Sequence, residues 1–139
     1  MKSHSGMTMT MGKGAIISLS RKQKLNTRSS TEAELVAVDD SMSSILWVKN
    51  FLEEQDYKIK VRVVLQDNES AIKLEKNGQK SVGPRSRHIH NRYFFITDQV
   101  EKGILQIVHC PTDEIEADYM SKALQGAKFA KFKKSIMNL

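Results

Sequence analysis

The sequence predicts an α/β domain in which helices pack on a mixed sheet. Two observations carry that expectation: an alternating, hairpin-like start is followed by two short runs rich in β-branched residues, and the segments between and after them show helical apolar spacing. Composition sets the scale. The chain has 139 residues, 40% hydrophobic and 27% charged, with seven Gly and two Pro, which suits one domain over residues 1–139 and excludes collagen-like, proline-rich and wholly disordered classes.

Met7-Thr8-Met9-Thr10-Met11 alternates apolar and polar residues, Gly12-Lys13-Gly14 reads as a turn, and residues 15–20 form a second extended run. A β-hairpin follows from that pattern. Ser29, Ser30 and Thr31 offer N-caps, with Glu32 or Glu34 at capping-box distance. Beyond them Leu35, Val38, Met42, Ile45, Leu46 and Leu52 recur at helical intervals, which predicts one long amphipathic helix to about Gln55 with Trp47 in the core. Residues 61–65 read as a buried strand ending at Gln66-Asp67, and 70–76 as a helix stopped by Asn77-Gly78. Residues 79–87, around Gly83-Pro84, read as a basic loop; 91–102 predict a helix closed by Gly103, and 104–108 the last strand. Pro111-Thr112 is expected to open a penultimate helix with Asp113 and Glu114 in its first turn, where the helix dipole favours acids. In the tail, Phe129, Phe132 and Ile136 share one helical face and lysines take the others.

Twenty-two basic and sixteen acidic side chains give a net charge of +6 and a pI near 9.5, which favours acidic partners such as a nucleic-acid backbone. The charge is segregated. Residues 1–30 carry +6, 31–79 carry −4, 80–102 carry +3 and 103–139 carry +1, an acidic block between basic flanks. That suits a carboxylate cleft with a basic rim, and equally a surface solvated by both signs. The single cysteine, Cys110, cannot close an internal disulfide, and no apolar run approaches the ~20 residues of a membrane span. A soluble intracellular protein with no membrane span is expected, its compartment open.

Hydrolysis of a phosphodiester by a two-metal mechanism needs carboxylates converging on two hard cations roughly 4 Å apart. Glu34, in the first turn of the long helix, Asp67, at the carboxyl end of a strand, and Asp118, beyond the last strand, qualify. Each has a structural alternative: dipole compensation for Glu34, capping of the next helix for Asp67, and a solvated helix face for Asp118. Arg21, Lys22, Lys24 and Arg28 before the long helix, and Arg85, Arg87 and Arg92 around His88, suit phosphate contacts or plain solvation.

At these residues the sequence resembles a known family. Ser29-Ser30-Thr31-Glu32-Ala33-Glu34-Leu35, Gln66-Asp67-Asn68-Glu69-Ser70-Ala71, Arg87-His88-Ile89 with Arg92-Tyr93-Phe94-Phe95-Ile96, and His109-Cys110-Pro111-Thr112 through Ala117-Asp118 resemble, in order, motifs of the ribonuclease H domain closing copia-type retrotransposon polyproteins. The match continues through Leu124-Gln125-Gly126 and Lys131-Phe132 to Met137, so it covers nearly the whole chain. The resemblance implies a ribonuclease H-like fold and cleavage of RNA in an RNA/DNA hybrid with Mg²⁺, or Mn²⁺, held by Glu34, Asp67 and Asp118. His109, in the loop expected after the last strand, would shuttle protons near the cleft or serve as a turn residue, and Asn68 joins the residues expected to contact nucleic acid.

One departure from the family matters most. Its first strand, with the first catalytic aspartate, precedes the hairpin, and this chain starts after it; no acid occurs before Glu32. Three remaining carboxylates are expected to bind metal weakly or not at all, leaving this chain inactive or weak. The family's first strand lies centrally, so its loss leaves two unpaired ladders. Closure is expected either by a strand from another chain within a larger assembly or by docking of the hairpin on the 61–65 strand. The competing reading is a non-catalytic remnant that binds nucleic acid or serves as an accessory structural subunit.

Overall fold

Alternation along the first twenty residues builds the hairpin that the sequence calls for. In the computed structural model, which describes residues 2–77 and 90–139 with side chains from residue 94 in the second stretch, β1 (His4–Thr10) and β2 (Ala15–Lys22) pair antiparallel with Met7 opposite Leu19. Gly12 turns the chain at φ 122°, a conformation that a side chain would strain. The long helix α1 (Ser30–Glu54) starts on the Ser29 hydroxyl, which accepts from the Glu32 backbone N–H at 3.2 Å. Glu32 reaches back to the Arg28 N–H at 2.8 Å, a reciprocal cap set one residue earlier than the usual box.

After α1 come β3 (Val63–Gln66), α2 (Glu69–Asn77), α3 (His90–Glu101), β4 (Gln106–His109), α4 (Asp118–Ser121) and α5 (Gly126–Met137). β3 and β4 pair in parallel, Val64 opposite Ile107 and Gln66 opposite His109, with two helices between them. The core lies under this pair: Leu35, Val38 and Met42 of α1 meet Ile72, Ile96, Leu105 and Ile107. The same helix packs on β1, while α4 covers β1 and β2 from another side. No helix among the described residues is long and apolar enough to cross a membrane.

This is the mixed α/β architecture of a ribonuclease H-like domain without its first strand. The sheet is in two pieces, β1–β2 and β3–β4, and no ladder joins them among the described residues. Docking of the hairpin on the 61–65 strand therefore does not occur. α1 packs on β1 and, through Leu35, Val38 and Met42, on the core beneath β3–β4.

Several elements differ from expectation. The middle strand lies two residues later and is only half covered: Val64 and Gln66 turn inward, whereas Val63 and Leu65 are 43% and 53% exposed. Trp47 is not core but 63% exposed, stacked on Phe51 at 5.3 Å between centroids, because Ile45 and Leu46 take the inward positions. Residues 111–117 form successive turns, and the penultimate helix begins only at Asp118. His109 ends β4 and does not lie in a loop. In α5, Phe132 and Ile136 are buried, but Phe129 is 40% exposed beside Tyr119. The expected loop over 79–87, with Arg85, Arg87 and His88, lies outside the described residues, as does the side chain of Arg92.

Truncation at the two ends of α1 separates core from surface. Leu35→Ala is expected to cost about 2–5 kcal/mol in urea unfolding, and Trp47→Ala under about 1 kcal/mol; equal costs would contradict the packing described.

Candidate functional site

Three elements remote in sequence deliver Glu34, Asp67 and Asp118 to one region. Glu34 lies half-buried near the start of α1, Asp67 follows β3, and Asp118 opens α4 with its side chain 9% exposed. Their fields overlap. Burial raises the Glu34 pKa most, the negative charges of Asp67 and Asp118 push it further up, and Lys122 pulls it down. Asp67 accepts a hydrogen bond from the Thr112 hydroxyl at 3.1 Å, so a turn after β4 anchors it. Asn68, not Asp67, caps α2, taking the Ala71 N–H at 3.0 Å, which leaves the Asp67 carboxylate free of that duty.

Asp118 already has cations. Lys122, one turn along, brings its ammonium within 3.1 Å of each carboxylate oxygen, and Lys128 of α5 stands 3.6 Å away. Lys128 also reaches Asp113 at 3.5 Å and the Thr112 carbonyl at 3.4 Å, stitching α5 to the turns before α4. Oxygen donors of this kind suit a hard cation. The geometry, however, is not a ready cage: among the described residues no group of three or more His, Cys, Asp or Glu stands close enough to hold a metal ion.

Two buried side chains escaped sequence reasoning. Gln23, 2% exposed, donates from its amide nitrogen to the Ser5 hydroxyl at 2.9 Å and the Ala33 carbonyl at 2.8 Å, locking the hairpin to the residue before Glu34. Glu75 is fully buried on α2, with no hydrogen bond to either carboxyl oxygen. Burial is the main cause that lifts its pKa to about 8; the nearby Gln66 side chain works against the shift and Glu34 adds to it. Helical spacing held the signal, since Glu75 shares the face of Ala71 and Ile72.

The other candidates stand apart. His109 is exposed at the end of β4, beside a buried Cys110 whose thiol pKa is raised by burial first and by surrounding acids. Lys22, Lys24 and Arg28 are exposed, while Arg21 lines a small cavity of about 10 Å³ against α1 with Ser5, Asp40 and Ser41.

Fold and site together define an α/β domain in which Asp67 and Asp118 act electrostatically on Glu34 and lysines pair with Asp118. Over 92% of its length the chain is 36% identical to the retrovirus-related Pol polyprotein from transposon TNT 1-94 of Nicotiana tabacum. Over 96% of its length it is 34% identical to the corresponding polyproteins from transposons RE2 and RE1 of Arabidopsis thaliana. It is a homologue of a segment of these proteins, spanning about a tenth of their length: 10% of the first and 9% of the other two. No family model and no solved structure matches the chain.

The buried acids set two expectations. A carboxyl with a raised pKa holds its proton in the folded state, so the contribution of Glu75 to stability is fullest below about pH 4.5 and is lost as pH rises towards about 8. Glu75→Gln should flatten that fall in urea melts across pH 5 to 8; an unchanged slope would exclude the assignment. Lys122→Met leaves the buried Asp118 with the more distant Lys128 alone and should cost about 1–2 kcal/mol. Asp118→Asn in the same background should recover part of it, as a double-mutant cycle reads directly.

Proposed function

We propose that this chain is the ribonuclease H-like region of a copia-type retroelement Pol polyprotein, whose complete form cleaves the RNA strand of RNA/DNA hybrids with Mg²⁺ or Mn²⁺. The observation that carries the reading is that Asp67 and Asp118, from separate elements, lie near enough to Glu34 to raise its pKa. Similarity to Pol polyproteins supports the retroelement assignment.

In this proposal the three carboxylates are the metal-binding and catalytic acids, and His109, exposed at the end of β4, is a candidate proton carrier. Exposed Lys22, Lys24 and Arg28, with Arg21, Asn68, Arg85, Arg87 and Arg92, contact the hybrid. The set is incomplete without a further acid, delivered by a strand that enters between the two ladders from upstream sequence or another chain. With Lys122 and Lys128 already on Asp118, the chain taken alone binds divalent ions weakly and hydrolyses slowly or not at all.

A hybrid-cleavage assay with Mg²⁺ tests the reading on this chain and on one extended upstream by a strand. Cleavage should rise by at least about 10²-fold in the extended form and vanish on Asp67→Asn while hybrid binding persists. Equal activity of the two chains would refute the incomplete-site argument. Loss of binding on changing the basic residues, with no effect of the three acids, would favour the non-catalytic nucleic-acid-binding module.

A further inference from the structure

A second site lies at the far end of the hairpin. The turn after β1 and the last turns of α5 enclose a groove of about 490 Å³, lined by Lys13, Glu116, Lys131, Lys134, Ser135 and Asn138 among others. Gly14 lets the two elements meet: a Cβ there would stand 2.8 Å from the Asn138 Cβ and 3.2 Å from the Ile136 carbonyl oxygen, so the turn backbone rests directly on the helix end. That contact fixes Lys13 beside Lys131 and Lys134, which are three residues apart on neighbouring turns of α5.

The charge in the groove is unbalanced. Three lysines share the lining with one acidic side chain, Glu116, whose carboxylate accepts from the Ser135 hydroxyl, and with Leu139, the last residue of the sequence. Among the described residues no carboxylate pairs with Lys13, Lys131 or Lys134. Lys128, one turn earlier on the same helix, sits on Asp118. A lysine stripe thus runs along α5 from the carboxylate site to the groove, roughly 9 Å for six residues at the helical rise.

We infer that the groove is a phosphate-binding subsite that takes the sugar-phosphate backbone of a nucleic-acid strand passing from the carboxylates along α5 to the hairpin turn. The choice of ligand rests on the nucleic-acid reading above; the chemistry rests on the groove. Ammonium groups are compact point charges suited to phosphate oxygens, which need no planar partner, and the Asn138 amide adds a polar contact. Neutralising several phosphates by lysine gives binding that weakens steeply with salt.

Fluorescence anisotropy with a labelled RNA/DNA hybrid, in EDTA and at two salt concentrations, tests the inference on the full chain. The triple variant Lys13→Glu, Lys131→Glu, Lys134→Glu should bind at least tenfold more weakly, with a salt slope reduced by about one per lysine. Lys133→Glu, on the same helix and outside the groove lining, should lose less than about threefold. Circular dichroism melts check that the variants fold as the parent does. Tripolyphosphate should compete with the hybrid on the parent chain more strongly than polyglutamate does. Equal loss in the Lys133 variant, no loss in the triple variant, or stronger competition by polyglutamate would each overturn the subsite, the last in favour of an acidic protein partner. The hydrolytic reading fails separately, through absence of cleavage by the extended chain while this binding pattern holds.

Discussion

A single 25-residue helix holds together two strand pairs that share no hydrogen bond. Everything else follows from how α1 does this. Its inward residues Leu35, Val38 and Met42 seal the β3–β4 side, where apolar burial supplies the driving force. On the β1 side the join is polar: Gln23 clamps Ser5 and the Ala33 carbonyl, two hydrogen bonds that also fix the helix start. The position of Glu34 therefore depends on both joins at once.

That dependence explains why the acids repel yet stay together. Like charges in a partly buried site repel, and the cost falls as counter-ions and hydrogen bonds gather around them. Thr112 anchors Asp67, and Lys122 with Lys128 neutralises Asp118; the Glu34 pKa is raised first by burial and further by the charges of Asp67 and Asp118. Glu75 is buried, and burial lifts its pKa to about 8, so it is mostly protonated at neutral pH. The fold ties Asp67 to a hydroxyl and pairs Asp118 with ammonium groups, while burial raises the pKa of both Glu34 and Glu75.

Sequence pattern located what depends on local spacing. The hairpin, the cap at Ser29, the inner face of α1 and the three candidate acids were all legible, because periodicity and capping are read along the chain. What failed depends on distant partners. Trp47 has core chemistry but sits one residue past Leu46, where the helix turns it outward; the strand at 63–66 exposes Val63 and Leu65 because one of its faces has no cover among the described residues. Asp118 could not be told from a solvated helix acid without α5, which brings Lys128 from ten residues away. Glu75 was legible in principle, since an acid on an apolar helical face is costly unless it stays protonated.

The same long-range pairing orders the charge. In sequence the lysines of the tail look like ordinary solubilising residues around an apolar stripe. In the fold, α5 lies so that one of them answers an acid at the site and two face the hairpin turn, because the close contact at Gly14 pins that turn to the helix end. A polyanion approaching three carboxylates alone would be repelled. Along α5, Lys128 stands at one acid and Lys131 and Lys134 line the groove at the hairpin turn, so positive charge continues beside the acids.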